Sequence, residues 1–82
     1  MNDVKIDSVF ISAIESSDAD RTIVSSVIDL AHRLGKQVTA EGVETSRQAS
    51  ILREFGCDHI QGYLIARPVT ASQAEAFLTQ GR

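Results

Sequence analysis

Eighty-two residues allow one small domain, and a chain of that length buries only about 60–65% of its unfolded surface, so its core is thin. At 43% hydrophobic and 23% charged, with five glycines and one proline, the composition excludes a low-complexity segment or linker and argues against disorder. Eleven acidic against eight basic residues give a net charge of −3, which excludes a diffuse positive field for nucleic-acid polymers; no Lys/Arg run marks a membrane surface.

Asp3–Asp7 alternates polar and apolar residues, with Val4 and Ile6 on one face and Lys5 and Asp7 on the other, the period of a short strand. From Ala19 to Leu34 the apolar positions Ile23, Val24, Val27, Ile28, Ala31 and Leu34 follow helical spacing. Ser17 or Asp18 can cap the start of that helix and Gly35 supplies its stop. Gln37–Ala40 reads as a second strand. Thr45-Ser46-Arg47-Gln48 fits a capping box opening a helix that turns Ala49, Leu52 and Phe55 inward and ends at Gly56. Asp58–Tyr63 reads as a third strand and Arg67-Pro68 as a loop. Thr70-Ala71-Ser72-Gln73 then opens a last helix with Ala74, Phe77 and Leu78 on one face before Gly81.

Strand–helix order repeated three times, with only one or two residues between each helix and the next strand, indicates parallel α/β architecture. The strand-to-helix junctions are longer and hold the unusual residues: Lys5 and Asp7, Glu41 and Glu44, Gln61 and Arg67. They converge on the C-terminal edge of the strands, where α/β proteins build active sites. Three units can cover only one face of a parallel sheet, so the chain is expected to be part of a larger domain, with Met1 an internal residue.

The segments VKID with Phe10, LAHRLGK, VTAEGVET and FGCDHIQGYLIARP resemble, in that order, the C-terminal half of the EAL domain, the bacterial cyclic di-GMP phosphodiesterase. The match runs from about Val4 to Phe77. The resemblance implies a TIM-like (β/α)8 barrel, of which these three βα units are the last three, so the barrel here is incomplete. It also implies two Mg²⁺ or Mn²⁺ ions and hydrolysis of one phosphodiester bond of cyclic di-GMP to linear pGpG. By position, Lys5 matches an active-site lysine that orients the attacking water or contacts a phosphate oxygen. Glu41 matches a glutamate at the second metal or its water, Glu44 a supporting acid, and Gln61 a glutamine lining the cleft. Two-metal hydrolysis needs carboxylates for hard cations and a cation on the developing charge, and Glu41 and Lys5 supply two of those parts. The family's other ligands precede this segment, so the intact domain is expected to be an enzyme and these 82 residues alone inactive. The usual K-I-D-[RK]-S-F-V is altered at Ser8 and Val9, which removes a positive charge near the rim.

Plainer roles stand beside these. Acids near a helix N-terminus gain about 0.3–1 kcal/mol from its dipole, which would suffice to explain Glu44. Asp7 could pair with Lys5, Gln61 could be an ordinary buried amide, and Arg67 could contact substrate phosphate or solvate its loop. Cys57 excludes an internal disulfide and reads as a small buried hydrophobe; His32 and His59 lack ligand spacing. The alternative to a phosphodiesterase is a non-catalytic EAL-like module that binds nucleotide or protein. Expected partners are cyclic di-GMP and the remainder of the barrel, or another chain over the open sheet face, so the isolated chain is expected to be an oligomer. The expected compartment is the cytoplasm, including the cytoplasmic part of a membrane-anchored sensor.

Overall fold

The computed structural model describes residues 3–62 and 65–80. In chain order it contains β1 (Val4–Ile6), α1 (Ser8–Ile11), α2 (Asp18–Arg33), β2 (Val38–Val43), α3 (Ser46–Glu54), β3 (His59–Gly62), β4 (Ile65–Thr70) and α4 (Ala71–Gln80). One sheet of order β1-β2-β3-β4 joins the strands, the first three parallel and β4 antiparallel to β3. The three expected βα units are present, and a fourth strand is inserted in the third of them. Among the described residues no helix is long and apolar enough to cross a membrane.

Local chemistry explains the helix boundaries. Ser17 caps α2 by accepting the Asp20 N–H at 3.1 Å, Asp18 and Asp20 occupy its first turn, and Gly35 leaves the helix at φ +75°. The expected capping box of α3 forms, with Thr45 and Gln48 satisfying each other's backbone N–H groups. Thr70 and Gln73 repeat the arrangement at α4. The stop expected at Gly81 and the strand end at Tyr63 lie outside the described residues.

Two readings are corrected. Arg67 and Pro68 lie within β4, not in a loop; β4 is an edge of the described sheet, where a proline without an N–H is tolerated. The four-residue α1, capped by Asp7 through the Val9 N–H, was not expected, because one helical turn is too short to show a period.

The core lies between sheet and helices. Ile6, Val38, Ala40 and Ile60 from the strands meet Val24, Ile28, Ala31, Ala49, Leu52, Ala74 and Leu78, all buried. Each fully buried Ile, Leu or Val contributes about 1.5–3 kcal/mol. Three of the apolar positions that follow helical spacing are exposed: Ile23, Leu34 and Phe77, at 45%, 63% and 49%. On α2, Ile23, Val27, Leu30 and Leu34 form a second stripe beside the one turned to the sheet, so the helix is apolar over more of its circumference than this core covers.

At the N-terminal edge of the strands, Asp58 accepts the Val38 N–H at 2.8 Å and pairs with His32 Nε2 at 2.7 Å, joining β2, α2 and the start of β3. Burial alone would raise the Asp58 carboxyl, but these hydrogen bonds outweigh it and hold the group below the usual carboxylate range. Nearby, Cys57 is buried and its Sγ donates to the carbonyls of Val38 and His59; burial pushes the thiol up to about 11, as a structural role requires.

Asp58→Ala, which orphans the Val38 N–H and frees His32, is expected to cost about 1–3 kcal/mol of stability at neutral pH. A depressed carboxyl stabilises the fold above its unfolded-state value of about 3.9, and that contribution is lost as pH falls through the folded value. Urea titrations of both proteins between pH 3 and 7 should therefore show a gap that is widest at the upper end and narrows in acid. A gap independent of pH would contradict the assigned pairing.

Candidate functional site

In the parallel ladder Ile6, Ala40 and Ile60 stand side by side, buried toward the helices. Side chains alternate across a strand, so the flanking residues Lys5, Thr39, Glu41, His59 and Gln61 belong to the opposite face. Lys5 is in register with Thr39, and Thr39 with His59. Glu41 and Gln61 each follow a member of the buried row by one residue, which brings them to neighbouring places at the C-terminal edge. Lys5 Nζ lies 4.0 Å from Glu41 Oε2, with the two side chains 66% and 39% exposed. A pair that long and that wet contributes on the order of 0–1 kcal/mol and does not by itself fix either group.

Positioning comes from the backbone beneath. Gly42 follows Glu41 with φ +78°, and a Cβ there would fall 2.3 Å from Ser8 Cβ, so the first turn of α1 rests directly on β2. Gly62 follows Gln61, and a Cβ there would fall 1.9 Å from the Val43 carbonyl oxygen. Both glycines let neighbouring chains close to distances that no side chain permits. The ladder shifts register between Ala40 and Val43, so the irregularity sits at Glu41 and Gly42, as strand irregularities beside functional sites commonly do.

Not every expected residue gathers at the Lys5–Glu41 pair. Glu44 lines a separate cleft of about 410 Å³ with Ser8, Val9, Ser12, Gly42 and Gln48, and its carboxylate has no ion-pair partner among the described residues. Asp7 caps α1 and accepts from Ser8 Oγ instead of pairing with Lys5. Arg67 is exposed on β4, between the partners of Ile60 and Gly62, and thus alongside Gln61.

One residue does more than its sequence pattern indicates. Gln48 is 5% exposed; beyond capping α3, its Oε1 accepts the Glu44 N–H at 2.8 Å and its Nε2 donates to the Ile11 carbonyl at 3.3 Å. The Thr45–Gln48 spacing gives the cap, but nothing local in the sequence points to a partner 37 residues away.

Glu41 offers the hard oxygen donors that Mg²⁺ or Mn²⁺ prefers. Among the described residues, however, no three His, Cys, Asp or Glu side chains are gathered closely enough to hold a metal ion. The donor set present is a fraction of one.

Residues 1–68 match the model of the EAL domain family. The chain is 43% identical over 75 residues to the cyclic di-GMP phosphodiesterase NbdA of Pseudomonas aeruginosa, covering 92% of this chain and 10% of that protein. Its fold matches the crystal structure of the EAL domain of Mycobacterium smegmatis DcpA with a TM-score of 0.74 at 40% identity, over 100% of this chain and 37% of that one. A manganese and cyclic di-GMP complex of Klebsiella pneumoniae BlrP1 matches with a TM-score of 0.74 at 35% identity, over 84% of this chain and 18% of that one. The chain spans about a tenth of the length of the full-length relatives it matches.

Because Gly42 combines a left-handed backbone with contact against Ser8, Gly42→Ala is expected to cost at least about 2 kcal/mol, from backbone strain and overpacking together. Thermal melts should place it well below a control such as Gly35→Ala, where φ is also positive but a Cβ meets nothing within 4 Å. Equal melting points would contradict the close approach.

Proposed function

The chain belongs to the EAL domain family, and on that premise we propose that it is part of a phosphodiesterase that hydrolyses cyclic di-GMP to linear pGpG. In this reading it contributes Lys5, Glu41, Glu44, Gln61 and Arg67 to a two-metal site, and the rest of the domain supplies the other ligands. The observation that carries the reading is the approach of Lys5 and Glu41 on one sheet face at the C-terminal edge of the strands. Relatives named as cyclic di-GMP phosphodiesterases support the substrate, and a relative's manganese complex supports divalent cofactors.

The roles follow from chemistry. Glu41 would hold a divalent ion through its carboxylate. Lys5, at 4.0 Å from it, supplies positive charge to the non-bridging oxygens as the phosphorus centre is attacked. Gln61 offers an amide donor and acceptor to the nucleotide, and Arg67 a guanidinium to its phosphate. Glu44, in its own cleft beside Gly42, would support the ligand network from there. When bound, the divalent ions supply charge neutralisation on the phosphate and acidity to a water molecule.

Among the described residues, the chain exposes an apolar stripe of Ile23, Leu30 and Leu34 on α2, with Phe77 on α4 a second exposed apolar side chain. Apolar patches of this kind favour association with the rest of the barrel or with another copy.

In the intact domain, Glu41→Gln should keep the fold and lower turnover by about 100-fold or more, because it retains shape while removing the charge that a metal site needs. Near-normal hydrolysis of cyclic di-GMP at saturating Mg²⁺ would remove Glu41 from the site. The 82-residue chain alone should self-associate and leave cyclic di-GMP unchanged in Mg²⁺ or Mn²⁺. A monomer by light scattering would contradict the unpartnered surfaces, and metal-dependent release of pGpG would contradict the division of ligands.

A further inference from the structure

Resting on the phosphodiesterase reading above, we propose that Gln48 is a positioning residue of the site, whose buried amide locks the β2–α3 junction to the end of α1 and so holds Glu41 and Glu44 in place relative to Lys5. The need for such a device is visible at the rim. The Lys5–Glu41 pair is half-solvated and 4.0 Å long, too weak to order itself. Glu41 lies at the register shift of β2, where the ladder stops fixing side-chain direction, and Glu44 lies just past the strand. Order at both positions must come from outside the sheet.

The Gln48 amide meets that need. A helix cap requires only that Oε1 accept the Thr45 N–H, which it does at 3.2 Å. The shorter bond from the same oxygen, 2.8 Å, goes to the Glu44 N–H, and the Nε2 bond to the Ile11 carbonyl crosses to another element. Neither is needed to cap α3. Together they tie the loop after β2 to the short helix that follows Lys5 and Asp7. A second tie runs parallel to the first: Thr45 Oγ1 accepts the Gln48 N–H at 3.0 Å and donates to Glu15 Oε2 at 2.6 Å, reaching the segment between α1 and α2. Gln48 is 5% exposed and its bond to Ile11 is buried, so water competes poorly there, whereas the Thr45–Glu15 bond is exposed. With Gly42 seated on Ser8 from the other side, the junction carrying both glutamates is pinned to the β1–α1 unit above and below.

The test uses the intact domain carrying this segment, with two substitutions and one readout independent of turnover. Gln48→Leu removes both acceptor contacts and the donor contact. It should speed amide hydrogen exchange at Glu44 and Thr45, raise the half-saturating Mn²⁺ concentration and lower kcat by roughly 10–100-fold, the usual cost of losing a group that orients ligands. KM for cyclic di-GMP should move little. Gln48→Glu keeps an acceptor for both N–H groups but, when ionised, cannot donate to Ile11. With the tie to α1 cut, it should lower kcat and raise the half-saturating Mn²⁺ concentration in the same direction as the leucine variant, by up to about 10-fold, while the retained acceptor keeps exchange at Glu44 slow. A merely structural glutamine would lower the melting point in both variants and leave kcat and Mn²⁺ dependence alone in whatever stays folded; that result overturns the proposal. If the leucine variant does not fold, a folded Gln48→Glu with wild-type kcat and Mn²⁺ dependence overturns it, and one that loses about 3-fold or more in kcat and needs more Mn²⁺ supports it. A wild-type domain that hydrolyses nothing overturns the phosphodiesterase reading instead, and the exchange rates at Glu44 still decide whether the clamp exists.

Discussion

Sliding one strand of a parallel pair by a single residue turns every one of its side chains to the other face, and in this chain the buried row Ile6, Ala40 and Ile60 forbids that slide. Exposing the row would leave the helices packed on Lys5, Thr39 and His59, which cannot fill an apolar layer. The row therefore sets the height of everything at the C-terminal edge. Lys5 precedes its member of the row by one residue, and Glu41 and Gln61 follow theirs. The candidate site residues Lys5, Glu41 and Gln61 come from three separate segments of sequence, yet three apolar side chains set their height along the strands.

The row fixes height but not the last few ångströms, and there the determinants are small groups. Gly42 and Gly62 act through what they lack: each sits where a Cβ would strike Ser8 or the Val43 carbonyl. The E-G-V-E and Q-G pairs thus join two demands in adjacent positions, a functional side chain and a backbone close enough to its neighbour to hold that side chain still. The glycine between the two acids exists because α1 must lie on the strand beneath it.

Much of this was legible in the sequence. The helical spacing of α2, both Thr–Gln caps and the order of the parallel strands were readable because each depends on residues within a few positions of one another. Where a partner lay far along the chain, the reading stopped short. The His32–Asp58 pair spans 26 residues and the Gln48–Ile11 bond 37, and neither leaves a local pattern. Strand β4 was concealed by Pro68, which usually marks a break and is harmless at an edge. The outward placement of Ile23, Leu34 and Phe77 was concealed because periodicity shows that a face is apolar, not what covers it. For the candidate site, Lys5 and Glu41 come together as expected, whereas Asp7 turns to cap α1 and Glu44 lines its own cleft.

The two edges of the sheet divide stability from chemistry. At the N-terminal edge the ionisable groups are satisfied: Asp58 is held between His32 and the Val38 N–H, and the Cys57 thiol donates to two carbonyls. At the C-terminal edge, among the described residues, Lys5 and Glu41 pair with each other at the limit of an ion pair and Glu44 has no ionic partner. Burying charge without partners costs several kcal/mol, so a fold keeps such groups exposed unless something else completes them. On the proposed reading, a rim held by glycines and a buried glutamine, with Lys5 and Glu41 exposed upon it, suits the binding of cations and phosphate.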